Sequence, residues 1–194
     1  IEVWVLDRPN PAGRPVDGMR LLSGHESFVG ADTLPTRHGL TTGELALWFK
    51  QKNNLDVALE VVPMVGYEPN QSTWPDSHAW INPSPNAASV NMTRCFPGTV
   101  LLEGTNLSEG RGTTIPLELI GAPDFPAKEV LSGLRRAAPD WCAGVSLRVC
   151  NFEPTFHKHV RELCHGIQIH TDNRHYQHEL FTPYRFIAGC LKVL

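Results

Sequence analysis

The chain has 194 residues, enough for one sizeable core or for one domain and part of a second. A formal net charge of −3 gives no electrostatic case for a nucleic-acid partner, which would need a concentrated basic face. No apolar run approaches the roughly 20 residues of a membrane span, and five cysteines without regular spacing exclude a disulfide framework.

In chain order, Ile1 to Leu6 runs apolar, as a strand inside an α/β sheet does. Asp7-Arg8-Pro9-Asn10-Pro11 stops it. Ligands of such sheets bind beyond the carboxyl ends of strands, which would make Asp7, Arg8 and Asn10 a site edge. An Asp–Arg pair bracing a turn accounts for the same residues equally well. A loop rich in glycine and proline follows to Gly24, and Ser27 to Gly30 is a short apolar piece. Thr41 or Thr42 caps a helix, with Glu44 in its first turn and Leu45, Ala46, Trp48 and Phe49 on a buried face. Arg37 and His38 precede that cap, at an end that favours anions. The break at Gln51-Lys52-Asn53-Asn54 ends the helix, and Val57 to Val65 is a strand. Tyr67 to Ala88 is irregular. Its Trp74 and Trp80 suit either core lids or platforms for a pyranose ring.

Val100-Leu101-Leu102 predicts a buried strand that delivers Glu103 to the mouth of the loop Gly104 to Thr114. Beyond it, Pro123 to Pro126 turns into a helix over Ala127 to Arg136. Val145 to Phe152 and Gly166 to His170 are strands, and Thr182-Pro183 starts a last helix near Tyr184. Strands alternate with helices without internal repeats, so the class is α/β or α+β.

The loop concentrates an amide, two acids, an arginine and four hydroxyl residues beside three glycines, more than a plain connector needs. It is not a phosphate loop, because Gly104 to Gly110 is one residue too long and Arg111 stands where lysine is required. His157, His159, Cys164, His165, His170, His175 and His178 match no zinc spacing, so no metal is expected. Ser84 and Ser108 lack a nucleophile elbow. Three glycosylation sequons, at 70–72, 91–93 and 106–108, are short enough to arise by chance.

Leu102 to Thr113, then Pro116-Leu117-Glu118 and Ile120-Gly121-Ala122-Pro123, resembles the signature of the NamZ-type exo-β-N-acetylmuramidases. These are bacterial peptidoglycan glycosidases once catalogued as a domain of unknown function. Further blocks match in the same order: Val5 to Pro11, Ser27 to Gly30, Arg37 to Ala46, Val62-Pro63-Met64, Asn82 to Asn86 and Phe96-Pro97-Gly98.

The resemblance implies the end of a Rossmann-like domain over residues 1–55, followed by a smaller α/β (or α+β) C-terminal domain over 56–194. It also implies an N-terminal segment with a Pro-Glu-His-Gly motif, to which nothing here corresponds. With both chain ends inside predicted elements, a fragment is expected, exposing an apolar face around Ile1, Val3 and Val5. The implied activity is release of N-acetylmuramic acid from the non-reducing ends of peptidoglycan glycans, in a secreted or periplasmic setting and with no cofactor. Glu103 and Glu109 are the expected catalytic acids, with Glu118 third. Asn106, Ser108, Arg111, Thr113, Arg37, His38, Asn10, Trp80 and Asn86 are the expected substrate contacts, gathered in one cleft. A bidentate guanidinium, Arg111 or else Arg37, would read the lactyl carboxylate of muramic acid. The rival function is a peptidoglycan-binding module without turnover.

Overall fold

The computed structural model describes residues 1–69, 74, 75, 77–172 and 174–194; the sequon at 70–72 falls outside them. The first part consists of β1 (Glu2–Leu6), β2 (Asp17–Arg20), β3 (Pro35–Arg37), α1 (Thr42–Lys52) and β4 (Ala58–Val62). β2 and β3 pair antiparallel, an excursion between β1 and α1 that the sequence pattern does not announce. β4 pairs in parallel with β1, Val3 opposite Leu59 and Val5 opposite Val61. The sheet therefore crosses residue 56, which overturns the expected boundary between 55 and 56. The polar break that suggested it is only the end of α1 inside a β–α–β crossover.

α1 begins with a capping box. The Thr41 hydroxyl accepts from Glu44 N, and the Glu44 carboxylate accepts from Thr41 N. Asp7 fastens this helix start to β1, accepting from Gly43 N at 2.7 Å and from the Thr41 hydroxyl at 3.1 Å. Asp7 therefore braces the chain, but through a helix N-terminus and the Arg8 backbone N–H; the expected pair with the Arg8 side chain is not formed among the described residues.

Gly43 packs so closely that a Cβ there would lie 2.5 Å from the Val61 side chain, so Val61 and its neighbour Val5 face α1. Trp4 and Leu6 lie on the other face, 58% and 62% exposed. Ile1 and Val3 are exposed too, whereas Val5 is half-buried. Asp7 N–H donates to the Val62 carbonyl and Ala58 N–H to the Ile1 carbonyl, both at 3.0 Å. Odd residues of β1 thus turn their backbone groups to β4, and Trp4 and Leu6 present theirs to the open edge.

The second part holds α2 (Val90–Thr99), a 3-10 turn over Val100–Gly104, β5 (Leu119–Ala122), α3 (Ala127–Ala137), β6 (Ser146–Phe152), β7 (Cys164–His170) and α4 (Pro183–Val193). Its sheet is antiparallel, in the order β5-β7-β6. Ala127, Val130, Leu131 and Leu134 repeat at helical spacing along α3 and are buried. They meet Ile120, Ile167 and Ile169 of the sheet, Phe186, Ile187 and Cys190 of α4, and Cys95 of α2 in one core. The expected strand at Val100 to Leu102 is not formed. A short apolar run is ambiguous, and here it extends α2 as a 3-10 turn that sends Leu102 into the core. Mixed helices and strands bear out the coarse α/β expectation, and no helix among the described residues is long and apolar enough to cross a membrane.

Candidate functional site

The loop after the 3-10 turn is held together by its own polar groups. Thr105 Oγ donates to the Leu102 carbonyl at 2.8 Å and Thr113 Oγ to the Gly110 carbonyl at 2.6 Å, while Ser108 Oγ accepts from Gly110 N at 3.1 Å. Glu109 sits at its centre with no solvent exposure. Lys158 Nζ lies 3.3 Å from one carboxylate oxygen; Arg111 Nε at 3.0 Å and His157 Nδ1 at 3.5 Å flank the other. The Arg111 contact is an ion pair without hydrogen-bond alignment, so Glu109 Oε1 is buried and unbonded. Lys158 also donates to the Leu102 carbonyl at 2.7 Å and the Leu107 carbonyl at 3.0 Å.

Lys158 and His157 belong to the segment between β6 and β7, which sequence reasoning treated only as a histidine-rich stretch. Their signal was faint: a lysine between two histidines with no metal spacing. His157, His159 and Arg161 adopt left-handed backbone angles, φ +73°, +53° and +60°. Gly112 permits the loop and this segment to touch, since a Cβ there would lie 2.5 Å from the Phe156 carbonyl oxygen. Arg111, on its other side, pairs with Glu103, which is exposed. Asn106, also exposed, turns its carbonyl to His159 Nε2 at 2.6 Å and lines a cavity of about 300 Å³ with Asp124 and Glu162.

Asn10, Arg37 and His38 gather elsewhere, in a cavity of about 390 Å³ also lined by Ser84, Ala87, Met92, Thr93, Phe96 and Pro97. No residue of the 103–113 loop lines it, so the single expected cleft is divided in two. Four of the resemblance blocks, those containing Asn10, His38, Ser84 and Pro97, converge on this one hollow. Its volume lies within the range of small-molecule sites, about 300–1,000 Å³.

Arg37 does not offer its guanidinium there. It is 1% exposed and donates to the Ala12, Phe181 and His178 carbonyls and to the Tyr176 hydroxyl, which pins the β3 turn to the second part. Asn10 is likewise occupied, donating to the Leu40 carbonyl and accepting from Ala12 N. Trp80 donates to the Ala87 carbonyl at 2.9 Å and packs edge-on against Trp74, 5.4 Å between centroids; Asn86 is partly buried and does not line the 390 Å³ cavity.

Glu118 is buried, and its carboxylate accepts from Ser89 Oγ at 2.8 Å, the residue that caps α2. Burial pushes its carboxyl above the ordinary range, while Ser89 and Arg94 pull it back in part. Burial also pushes up the thiols of Cys95, Cys142, Cys150, Cys164 and Cys190, so none is poised as a nucleophile. Among the described residues, no three His, Cys, Asp or Glu side chains come together as a metal site.

The chain is 42% identical over 175 residues to the peptidoglycan β-N-acetylmuramidase NamZ of Bacillus subtilis (strain 168), an alignment covering 90% of this chain and 42% of that protein. Two crystal structures of DUF1343 family proteins from Bacteroides fragilis NCTC 9343 share the fold. One has a TM-score of 0.86 and 27% identity, covering 99% of this chain and 49% of the other. The second has a TM-score of 0.66 and 30% identity, covering 89% of this chain and 44% of the other. The chain thus spans less than half the length of each of these relatives. The model of the N-terminal part of exo-β-N-acetylmuramidase NamZ matches residues 1–91, and that of its C-terminal part matches 94–194. The junction of the two falls among the residues that line the 390 Å³ cavity. Matched by both models in order, the chain belongs to the NamZ exo-β-N-acetylmuramidase family.

Proposed function

We propose that this chain is part of a glycoside hydrolase that releases N-acetylmuramic acid from the non-reducing ends of peptidoglycan glycans, outside the cytoplasm where that polymer lies. The observation that carries this reading is the 42% identity to the Bacillus muramidase across 90% of the chain. The cavity at the junction of the two matched regions supports it as the seat of the sugar.

Glycosidic cleavage needs two groups on either side of one bond, roughly 5–10 Å apart. Among the described residues, those lining the cavity include no aspartate or glutamate. Glu109 is sealed from solvent, which gives it an anchoring role, so Glu103 is the loop acid left able to meet a substrate. We assign sugar positioning to this chain, with the acid pair completed by polypeptide corresponding to the rest of the relatives' length. The β–α–β crossover of β1, α1 and β4 supports a Rossmann-like sheet as the scaffold of that part.

The second reading, a binding module without turnover, is favoured by the same carboxylate-free lining. Incubation of the full-length protein with N-acetylmuramyl-N-acetylglucosamine separates the two. Release of free N-acetylmuramic acid is expected; saturable binding without release would favour the module.

A further inference from the structure

We propose that His38 is a specificity-determining donor, reading the acetamido carbonyl of an N-acetylated amino sugar in the junction cavity. This rests on the glycosidase reading above, and it names the feature of the sugar that the cavity selects.

The imidazole is fixed in one tautomer. Leu40 N–H donates to His38 Nδ1 at 3.1 Å. A backbone N–H can only donate, so Nδ1 presents its lone pair and the neutral ring carries its proton on Nε2. A second proton would have to sit on Nδ1, facing the Leu40 N–H. Burial acts in the same direction, holding the imidazole below its ordinary value. His38 is therefore a neutral donor near neutral pH. Its Nε2 has no protein partner among the described residues and is not a buried atom lacking one. His38 lines the junction cavity and also a neighbouring hollow of about 550 Å³ walled largely by apolar side chains such as Leu21, Leu34, Leu45 and Phe49, and we assign the Nε2 proton to the junction cavity, where polar side chains such as Thr93 stand beside it.

The rest of the lining matches the other parts of an acetamido group. Thr93 spends its hydroxyl proton on the Val90 carbonyl at 2.7 Å, which leaves oxygen lone pairs for an amide N–H. Ala87, Met92, Phe96 and Pro97 form apolar wall against which a methyl can pack. The alternative ligand feature, the lactyl carboxylate, finds no exposed cation among the described lining residues, because Arg37 is 1% exposed and directs four of its five N–H groups at protein oxygens. A carbonyl, an N–H and a methyl each have a counterpart; a carboxylate would meet the same N–H without a cation beside it.

Two substitutions separate the donor from the local anchor. His38→Gln places an amide N–H near the position of Nε2 but gives up the acceptor for Leu40 N–H. His38→Asn keeps an acceptor for Leu40 N–H and withdraws the donor. In the full-length protein, kcat/KM is compared on an N-acetylmuramyl disaccharide and its de-N-acetylated counterpart. His38→Asn should lose roughly tenfold on the N-acetylated substrate, the size of one lost hydrogen bond, and little on the other. His38→Gln should keep most of the preference. Equal losses on both substrates, or an intact N-acetyl preference in His38→Asn, would overturn the assignment. If the wild type cleaves neither substrate, the glycosidase reading fails, yet the inference is still tested by the ¹⁵N–¹H signal of His38 Nε2. N-acetylmuramic acid should shift that signal and muramic acid should not; no shift with either sinks it.

Discussion

Replacing Lys158 by methionine tests whether the central loop is fastened from below. Its ammonium donates to the Leu102 and Leu107 carbonyls at 2.7 and 3.0 Å and approaches Glu109 at 3.3 Å. Losing a partner of a buried charge costs about 3–5 kcal/mol, and the two carbonyl bonds contribute within that figure. Arg111 still faces Glu109 at 3.0 Å and methionine fills the stem's place, so the lower end applies, about 3 kcal/mol. For a chain of this size that is a fall in Tm of roughly 6–12 °C. Denaturant unfolding of the wild type, Lys158→Met, Glu109→Gln and the double variant at neutral pH completes the cycle. The double variant should lose less than the sum of the singles by about 1–2 kcal/mol. Strict additivity, with Lys158→Met costing under about 1 kcal/mol, would refute the reasoning.

Gly98→Ala should prevent stable docking of α2 on α4, since its Cβ would lie 2.0 Å from the Pro183 carbonyl oxygen, whereas Gly104→Ala meets nothing within 4 Å and should leave Tm nearly unchanged. Glu118→Gln should alter the pH profile of stability. With its folded carboxyl raised above the unfolded value, Glu118 stabilises fully below the ordinary carboxylate range and loses that contribution as pH rises through the folded value. The Gln variant should therefore gain on the wild type as pH rises from 4 to 8, read from denaturation midpoints; parallel profiles would refute this. In the full-length protein, Glu103→Gln should lower kcat more than it raises KM, and the 194-residue chain alone should release almost no N-acetylmuramic acid. Release by that chain near the full-length rate would place both catalytic groups within it.

The elements visible in the sequence carry either an apolar period or a cap. β1, β4, α3, β6, β7 and α4 follow runs of apolar residues at strand or helix spacing, and α1 is announced by its N-cap, Thr41 with Glu44. α2 was hidden because it carries Pro97 and Gly98 in its last turns, where local preference argues against a helix and packing on α4 overrides it. The site was legible as residue types and not as partners. Arg37 and Arg111 have the chemistry of carboxylate readers, yet Arg37 is spent on acceptors such as the Phe181 carbonyl, 144 residues away, and Arg111 on Glu103 and Glu109. His38 carries the opposite lesson. Its value lies in one unspent N–H, which only the bond from Leu40 reveals.

The open edge of β1 bears on how this chain behaves by itself. Every second amide and carbonyl along Val3-Trp4-Val5-Leu6 faces outward, and neither proline nor lysine blunts the strand. Such an edge is a template for another chain's strand, and the exposed Trp4 and Leu6 side chains would add apolar contact to the pairing. Isolated at high concentration, the 194-residue chain is thus disposed to stick edge to edge and to precipitate as sheet-rich material. A lysine in place of Trp4 is the smallest change that should keep it in solution.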